Sequence, residues 1–392
     1  MSIAQEVRRR KERSTLSPET KRHTQPWSDE QIKLRVKELL VQLTAIPGVS
    51  GFETPVARFM AKHLREVADE VMADTMGNLF ATKRGGKPGP TVMITAHSDE
   101  IGLIVKNIEP SGYIRFDKIG GMIDPLLIGR MVTIRGHLGV VSVKAGHLQS
   151  AKERTEVKPH TELFIDVGED SEEDVRRLGI RIGDPVEQKS DLQFFACGDR
   201  FSGKAVDDRL GCAVLLALFE ALAGQEFGGT LVGVVTVQEE VGLRGAEVSA
   251  YRINPDLAVA LDTMPAGDTP DVNFSKELAV GIGRGPTFQV MSGGTGGKGI
   301  IVNPRVRKLL EDTAAAAGVK YQVTTFTGGN TDATSMHLVR AGIPSGVIAL
   351  PRRYSHSPVE MGDIRDAIGA FKILWRLALD MDKVPSYLAP DI

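Results

Sequence analysis

The feature that most constrains this chain is a repeated unit: a run of β-branched apolar residues that stops abruptly at polar or acidic ones. Its clearest copy is Leu231-Val232-Gly233-Val234-Val235, followed by Thr236-Val237-Gln238-Glu239-Glu240-Val241-Gly242. A short run that is apolar throughout predicts a strand buried on both faces, as in a parallel sheet covered by helices. Thr91 to Ala96 repeats the unit and runs into His97-Ser98-Asp99-Glu100. Asp256 to Leu261 repeats it and ends in Asp262-Thr263. Gly346 to Leu350 repeats it ahead of Pro351-Arg352-Arg353-Tyr354-Ser355-His356-Ser357. In an open α/β sheet the carboxyl ends of the strands border a crevice, and that is where ligands bind.

Helical segments separate these strands. Ser28 and Gln31 have capping-box spacing, and Ile32, Val36, Leu39 and Leu40 give a helical period up to Leu43. Further helices are expected over Pro55–Val67, Cys212–Leu222, Pro304–Ala317 and Met361–Leu379. Between Ile101 and Asp191 the character changes. Ile128 to Ile134, Gly139 to Val143 and Leu163 to Val167 are short β-rich pieces spaced by glycine, and only Ser171 to Leu178 reads as a helix. The expected fold class is α/β, a mixed and largely parallel sheet flanked by helices, with an inserted small β-barrel-like domain. At 392 residues two domains are the natural division. Residues 28–100 and 192–392 form the larger one, 101–191 the insert, and 1–27 a basic, disordered N-terminal arm carrying Arg8, Arg9, Arg10, Lys11 and Arg13.

A net charge of −2 gives no reason to expect a nucleic-acid partner, and no stretch is apolar enough to span a membrane. The N-terminus lacks a signal-peptide core. With two cysteines, Cys197 and Cys212, there is no disulfide framework and no thiolate metal site, so a reducing cytoplasm is the expected location. Any metal must be held by histidine and carboxylate.

Taken singly, the strand-end residues are ordinary. Two glutamates after a strand read as a solvated loop, a His-x-Asp as a surface turn, and Asp207-Asp208 as caps of the helix that follows. Taken together, His97, Glu239, Glu240, Asp262 and His356, with Asp207 at a helix start, converge on one crevice. Bare carboxylates do not gather unless cations neutralise them. Mixed imidazole and carboxylate ligands suit Zn²⁺ or Co²⁺, with Mn²⁺ as a third candidate. Two divalent ions would balance three ligating carboxylates and one hydroxide, leaving one carboxylate free as a base. The stretch Gly293 to Gly299 lacks phosphate-loop spacing and reads as a mobile loop near the site. His137 and His160 read as exposed polar residues, and His147 has no placement.

Five segments, in order, carry a resemblance: Ala96-His97-Ser98-Asp99-Glu100-Ile101-Gly102, Gly203 to Arg209, Gln238 to Gly242, Ala260-Leu261-Asp262-Thr263 and Arg353 to Glu360. From about residue 30 to the end the chain resembles the tetrahedral or glutamyl aminopeptidases, cytoplasmic enzymes with a di-metal centre in a phosphorylase/hydrolase-like domain. The resemblance implies two divalent ions per subunit. His97, Glu240, Asp262 and His356 would be terminal ligands and Asp207 the bridge. Asp99 would orient a ligand from behind, and Glu239 would be general base and acid. It further implies a cis peptide at Asp207-Asp208, peptide substrates, and dimerisation through the 101–191 insert into a dodecameric shell. Two other readings stand beside it: a metal-independent, endoglucanase-like glycoside hydrolase using paired carboxylates, and a non-catalytic shell protein. The preferred N-terminal residue is not legible. Asp268 to Asn273 and Gly293 to Gly299 are expected to shape its pocket, and Arg352 or Arg353 would either favour acidic residues or serve as surface or interface charge.

Overall fold

The computed structural model describes residues 27–293 and 299–389, so most of the basic arm and the centre of the glycine-rich stretch lie outside the described residues. Helix α1 (Asp29–Thr44) begins at the expected capping box: Ser28 Oγ accepts from the Gln31 N–H at 3.3 Å and Gln31 Oε1 from the Ser28 N–H at 2.8 Å. Its buried face is the periodic set Ile32, Val36, Leu39, Leu40 and Leu43. Helix α2 (Thr54–Leu64) and strands β1 (Glu70–Ala73), β2 (Leu79–Arg84) and β3 (Lys87–His97) follow. Strand β3 starts earlier than its apolar run, because Lys87 pairs with Gly228.

The insert is a closed barrel. It contains β4 (Gly102–Ile108), β5 (Ile114–Ile119), β6 (Met131–Ile134), β7 (His137–Ser142), β8 (Phe164–Asp166) and β9 (Pro185–Gln188), with helix α3 (Glu172–Arg177) on it. The strand order is β4-β5-β8-β7-β6-β9, closed by β9 against β4. The barrel has its own core, including Leu103, Phe116, Ile134, Ile165 and Val186, distinct from the main one. His137 and His160 are half-buried rather than exposed, and His160 lies 3.5 Å from Asp117 and 3.6 Å from Asp124; His147 is exposed.

The chain returns through β10 (Gln193–Phe194) and β11 (Arg200–Gly203) to helix α4 (Val206–Ala221), which is buried along nearly its whole length. Then come β12 (Gly228–Thr236), α5 (Arg244–Ile253), β13 (Leu257–Pro265), β14 (Thr287–Gly293), β15 (Gly299–Ile301), α6 (Pro304–Ala316), β16 (Gln322–Phe326), α7 (Asp332–Met336), β17 (Ser345–Arg352), β18 (Glu360–Asp363), α8 (Ile364–Leu379) and α9 (Val384–Leu388). The main sheet runs β1-β2-β12-β3-β13-β17-β14-β15, with β16 beside β14. Its centre, β12-β3-β13-β17, is parallel throughout, so four strand ends lie side by side. Truncating a fully buried aromatic of this core, such as Phe219 on α4, costs about 3–5 kcal/mol. No described helix is long and apolar enough to cross a membrane.

Two expectations need correction. The last long helix starts at Ile364 and not at Met361, because Glu360 to Asp363 pair antiparallel with β11 as β18. Strands β13 and β17 continue past Leu261 and Leu350, pairing as far as Pro265 with Arg352. Asp262 is therefore inside a strand rather than after one.

Candidate metal centre

The strand ends bring two groups of potential ligands together. In the first, His97 Nε2 is 3.0 Å from Asp207 Oδ1 and 3.8 Å from Asp262 Oδ1. In the second, His356 Nε2 is 3.3 Å from Glu240 Oε2 and 3.5 Å from Asp207 Oδ2. Asp207 belongs to both, offering one oxygen to each side. Just before it Ala205 is left-handed (φ 54°), and Asp207 and Asp208, joined by a cis peptide, depart from helical geometry at the start of α4. Asp208 points elsewhere: its Oδ1 accepts from the Gly211 N–H at 3.0 Å, so it acts as the expected cap.

The tautomers of both histidines follow from their neighbours. His97 Nδ1 lies 3.1 Å from the Asp99 carbonyl oxygen, and His356 Nδ1 lies 3.3 Å from that of Gly121. A carbonyl only accepts, so each Nδ1 carries the hydrogen, and each Nε2 lone pair is aimed at carboxylate oxygens. That arrangement is repulsive unless a proton or a cation sits between. The ionisation of the metal-free site says the same. Burial would lower His97, but Asp207 and Asp99 outweigh it and hold the imidazole well above its usual range. His356 is pushed up to about 9, Asp207 and Glu240 overcoming burial. Burial and Asp207 raise Glu240 to about 7, and the same two causes push Asp262 well up. Asp207 remains well below the carboxylate range despite burial, because Arg352 and both histidines face it. Two imidazoles and three carboxylates with their lone pairs converging fit hard-to-borderline divalent ions.

Asp99 does more than orient an imidazole. Its Oδ1 accepts the Glu239 N–H at 3.0 Å and lies 3.5 Å from His97 Nδ1; its Oδ2 accepts the Glu240 N–H at 3.1 Å and the Ser50 hydroxyl at 2.6 Å. Asp99 thus braces His97, through its carbonyl, and the main chain of the glutamate pair, through its buried carboxylate. The pair divides. Glu240 faces His356, whereas among the described residues the Glu239 carboxylate has no hydrogen-bond partner and looks into the cavity. Burial, with Asp262 and Glu240 adding to it against His97, pushes Glu239 well up.

Three contributors were not expected. Arg352 is buried and donates to Thr263 Oγ1 at 2.5 Å, to Glu360 Oε1 at 2.9 Å and to Asp207 Oδ2. Glu360 also accepts the main-chain N–H groups of Asp207 at 3.0 Å and His356 at 2.8 Å. Asp332 accepts from Thr236 Oγ1 at 2.8 Å, holding the end of β12. Arg353 is paired in two places with Asp268, at 2.9 and 2.8 Å. Neither arginine is therefore free to receive an acidic side chain. The centre opens into a cavity of about 1110 Å³ walled by Met264, Gln289, Phe326 and Leu338 among others, and residues 268–273 are not part of its lining.

The model of the M42 glutamyl aminopeptidase family matches residues 77–373. The chain belongs to that family. The glutamyl aminopeptidase of Lactococcus lactis subsp. cremoris, an M42 relative, is 34% identical over 352 residues, covering 87% of this chain and 96% of its own. Among solved structures, an aminopeptidase from the archaeon Desulfurococcus kamchatkensis superposes with a TM-score of 0.86 at 35% identity, covering 92% of this chain and 99% of the other. The Pyrococcus horikoshii TET1 peptidase, described as assembling into a tetrahedron or a large octahedral shell, gives 0.78 at 29% identity over 88% and 99%. A Thermotoga maritima structure described as an endoglucanase gives 0.71 at 29% identity over 89% and 99%. M42 membership makes this chain a peptide hydrolase.

Proposed function

We propose that the chain is an aminopeptidase that removes the N-terminal residue of peptides with two divalent ions, Zn²⁺ or Co²⁺ foremost and Mn²⁺ third. The observation that carries this is Asp207, shared between two imidazole–carboxylate groups whose Nε2 atoms face carboxylate oxygens and so call for a proton or a cation between them. His97 and Asp262 would hold one ion, Glu240 and His356 the other, and Asp207 both. Ions bound there would polarise the scissile carbonyl and lower the pKa of water. Glu239, facing the cavity with no hydrogen-bond partner for its carboxylate among the described residues, takes the proton of the attacking water and returns it to the leaving amine. Asp99 keeps Glu239 in place through its main-chain N–H. Residues 28–100 and 192–392 are the catalytic domain on this reading. The barrel, 101–191, exposes Ile128, Met131, Leu138 and Leu148 and serves as the dimerisation face of a larger shell, which sizing by light scattering would test. Cys197 and Cys212, both free thiols, suit the cytoplasm.

The endoglucanase description of one neighbour favours a second reading, glycoside hydrolysis. Against it, Glu240 faces an imidazole rather than standing as half of an acid–base pair across a substrate. A panel of aminoacyl-p-nitroanilides and a soluble cellulose derivative, assayed after chelation and after ion return, decides between them. Peptidase activity lost on chelation and restored by Zn²⁺ or Co²⁺ is the expected result. Chelator-resistant cleavage of the polysaccharide would overturn it, and so would a Glu239→Gln variant with full peptidase activity.

A further inference from the structure

The two ligand groups are not equivalent, and the difference lies in one side chain. Arg352 ends strand β17 and is 4% exposed, with its guanidinium between Asp207, Glu360 and Thr263. A guanidinium keeps its charge at every pH a protein survives. Among the described residues it donates to Asp207 Oδ2, the oxygen on the His356 side; Oδ1 is the oxygen on the His97 side, 3.0 Å from that imidazole. The groups also differ in burial: the His97 side chain is 2% exposed and that of His356 is 32%. Resting on the metal reading above, we propose that Arg352 is a positioning residue that competes with a divalent ion for Asp207 Oδ2, making the His356–Glu240 position the weaker and later-filled of the two.

Two consequences follow. Without ions, Arg352 acts as an internal counter-cation that keeps Asp207 and Glu360 from repelling each other, so the stripped protein retains its fold. With ions, the guanidinium lowers affinity mainly at the second position, the nearer of the two. The expected size is on the order of ten-fold or more, since a unit charge within a few ångström of a divalent ion contributes that much even at the dielectric of water.

The test is calorimetric titration of Zn²⁺ into the full, chelator-stripped protein, with the Co²⁺ absorption spectrum followed in parallel. The native chain is expected to bind in two steps of distinct affinity. Arg352→Gln, which removes the charge but keeps an NH₂ donor, tightens the weaker step by ten-fold or more and the tighter one by less. Arg352→Lys, which keeps the charge, leaves the weaker step weak. Two equal steps in the native chain overturn the inference without any variant having to fold. A folded Arg352→Gln protein whose weaker step does not tighten overturns it as well. Uptake of no ion at all would instead bring down the metal reading beneath it.

Discussion

Asp99→Asn is the sharpest perturbation of this site, because the side chain keeps its shape and loses one acceptor. The carboxylate takes hydrogen bonds from Glu239 N, Glu240 N and Ser50 Oγ at 3.0, 3.1 and 2.6 Å. An asparagine with its NH₂ toward Glu239 sets donor against donor at that main-chain N–H. With its NH₂ toward Glu240 the Ser50 hydroxyl can turn and accept, and the conflict shrinks to the Glu240 N–H alone. The better orientation therefore strands one buried donor, about 1–3 kcal/mol. For a chain of 392 residues that amounts to a melting temperature lower by about 1–4 °C. The catalytic effect should be larger, because the glutamate pair and His97 lose a common anchor: a fall in kcat of about 10–100-fold. Thermal melting of the stripped protein, kcat on an aminoacyl-p-nitroanilide and bound metal by mass spectrometry measure the three terms. A variant with native melting and native kcat would show that Asp99 does not hold the pair, and the account of how Glu239 is positioned would fail.

Gly121→Ala should weaken uptake of the second ion with little change in melting. The new Cβ would stand 2.5 Å from His356 Nδ1 and push the imidazole away, and metal titration reads this directly. Gly245→Ala should destabilise by about 1–3 kcal/mol and depress kcat, because its Cβ, in the first turn of α5, meets Asn78 Oδ1 at 2.2 Å and, just before the glutamate pair, the Val237 carbonyl at 2.5 Å; urea unfolding checks the first effect. In the metal-free protein His356 keeps its proton up to about 9 and Glu240 up to about 7, so an ion binding there must displace protons. Ion affinity should then fall as pH drops below about 9, with release of more than one proton near pH 6 and almost none above pH 10. Calorimetry in buffers of different ionisation enthalpy measures it, and heats independent of buffer near neutrality would refute it.

The frame of this fold was legible because a doubly covered parallel strand has an unambiguous pattern, and four of them end in polar residues. That pattern pointed to His97, the glutamate pair, Asp262 and His356, which the fold brings together, and the family resemblance gave each an expected role. What stayed hidden depends on pairing between distant segments. Glu360 sits 153 residues from Asp207 and reaches it only because β18 pairs with β11. In the sequence it only closes the Arg353–Glu360 segment. Arg352 stays open between a specificity residue and a surface or interface charge, because nothing local says that β17 runs on to carry it under Thr263. The barrel was visible as short glycine-spaced strands, but its order, with β8 between β5 and β7, follows from three-dimensional closure that no local period encodes.

The hydrogen bond from His356 to the Gly121 carbonyl joins two bodies that otherwise keep separate cores. Gly121 stands just after the second strand of the barrel, and Ile123 beside it lines the cavity. On the metal reading, a displacement of the barrel by a fraction of an ångström would turn the His356 ring. Linkage would run in both directions: an ion held by that ring would resist the displacement and clamp the barrel to its base. A grip on the barrel from outside would then reach the chemistry without entering the cavity, and emptying the centre would loosen the barrel in return.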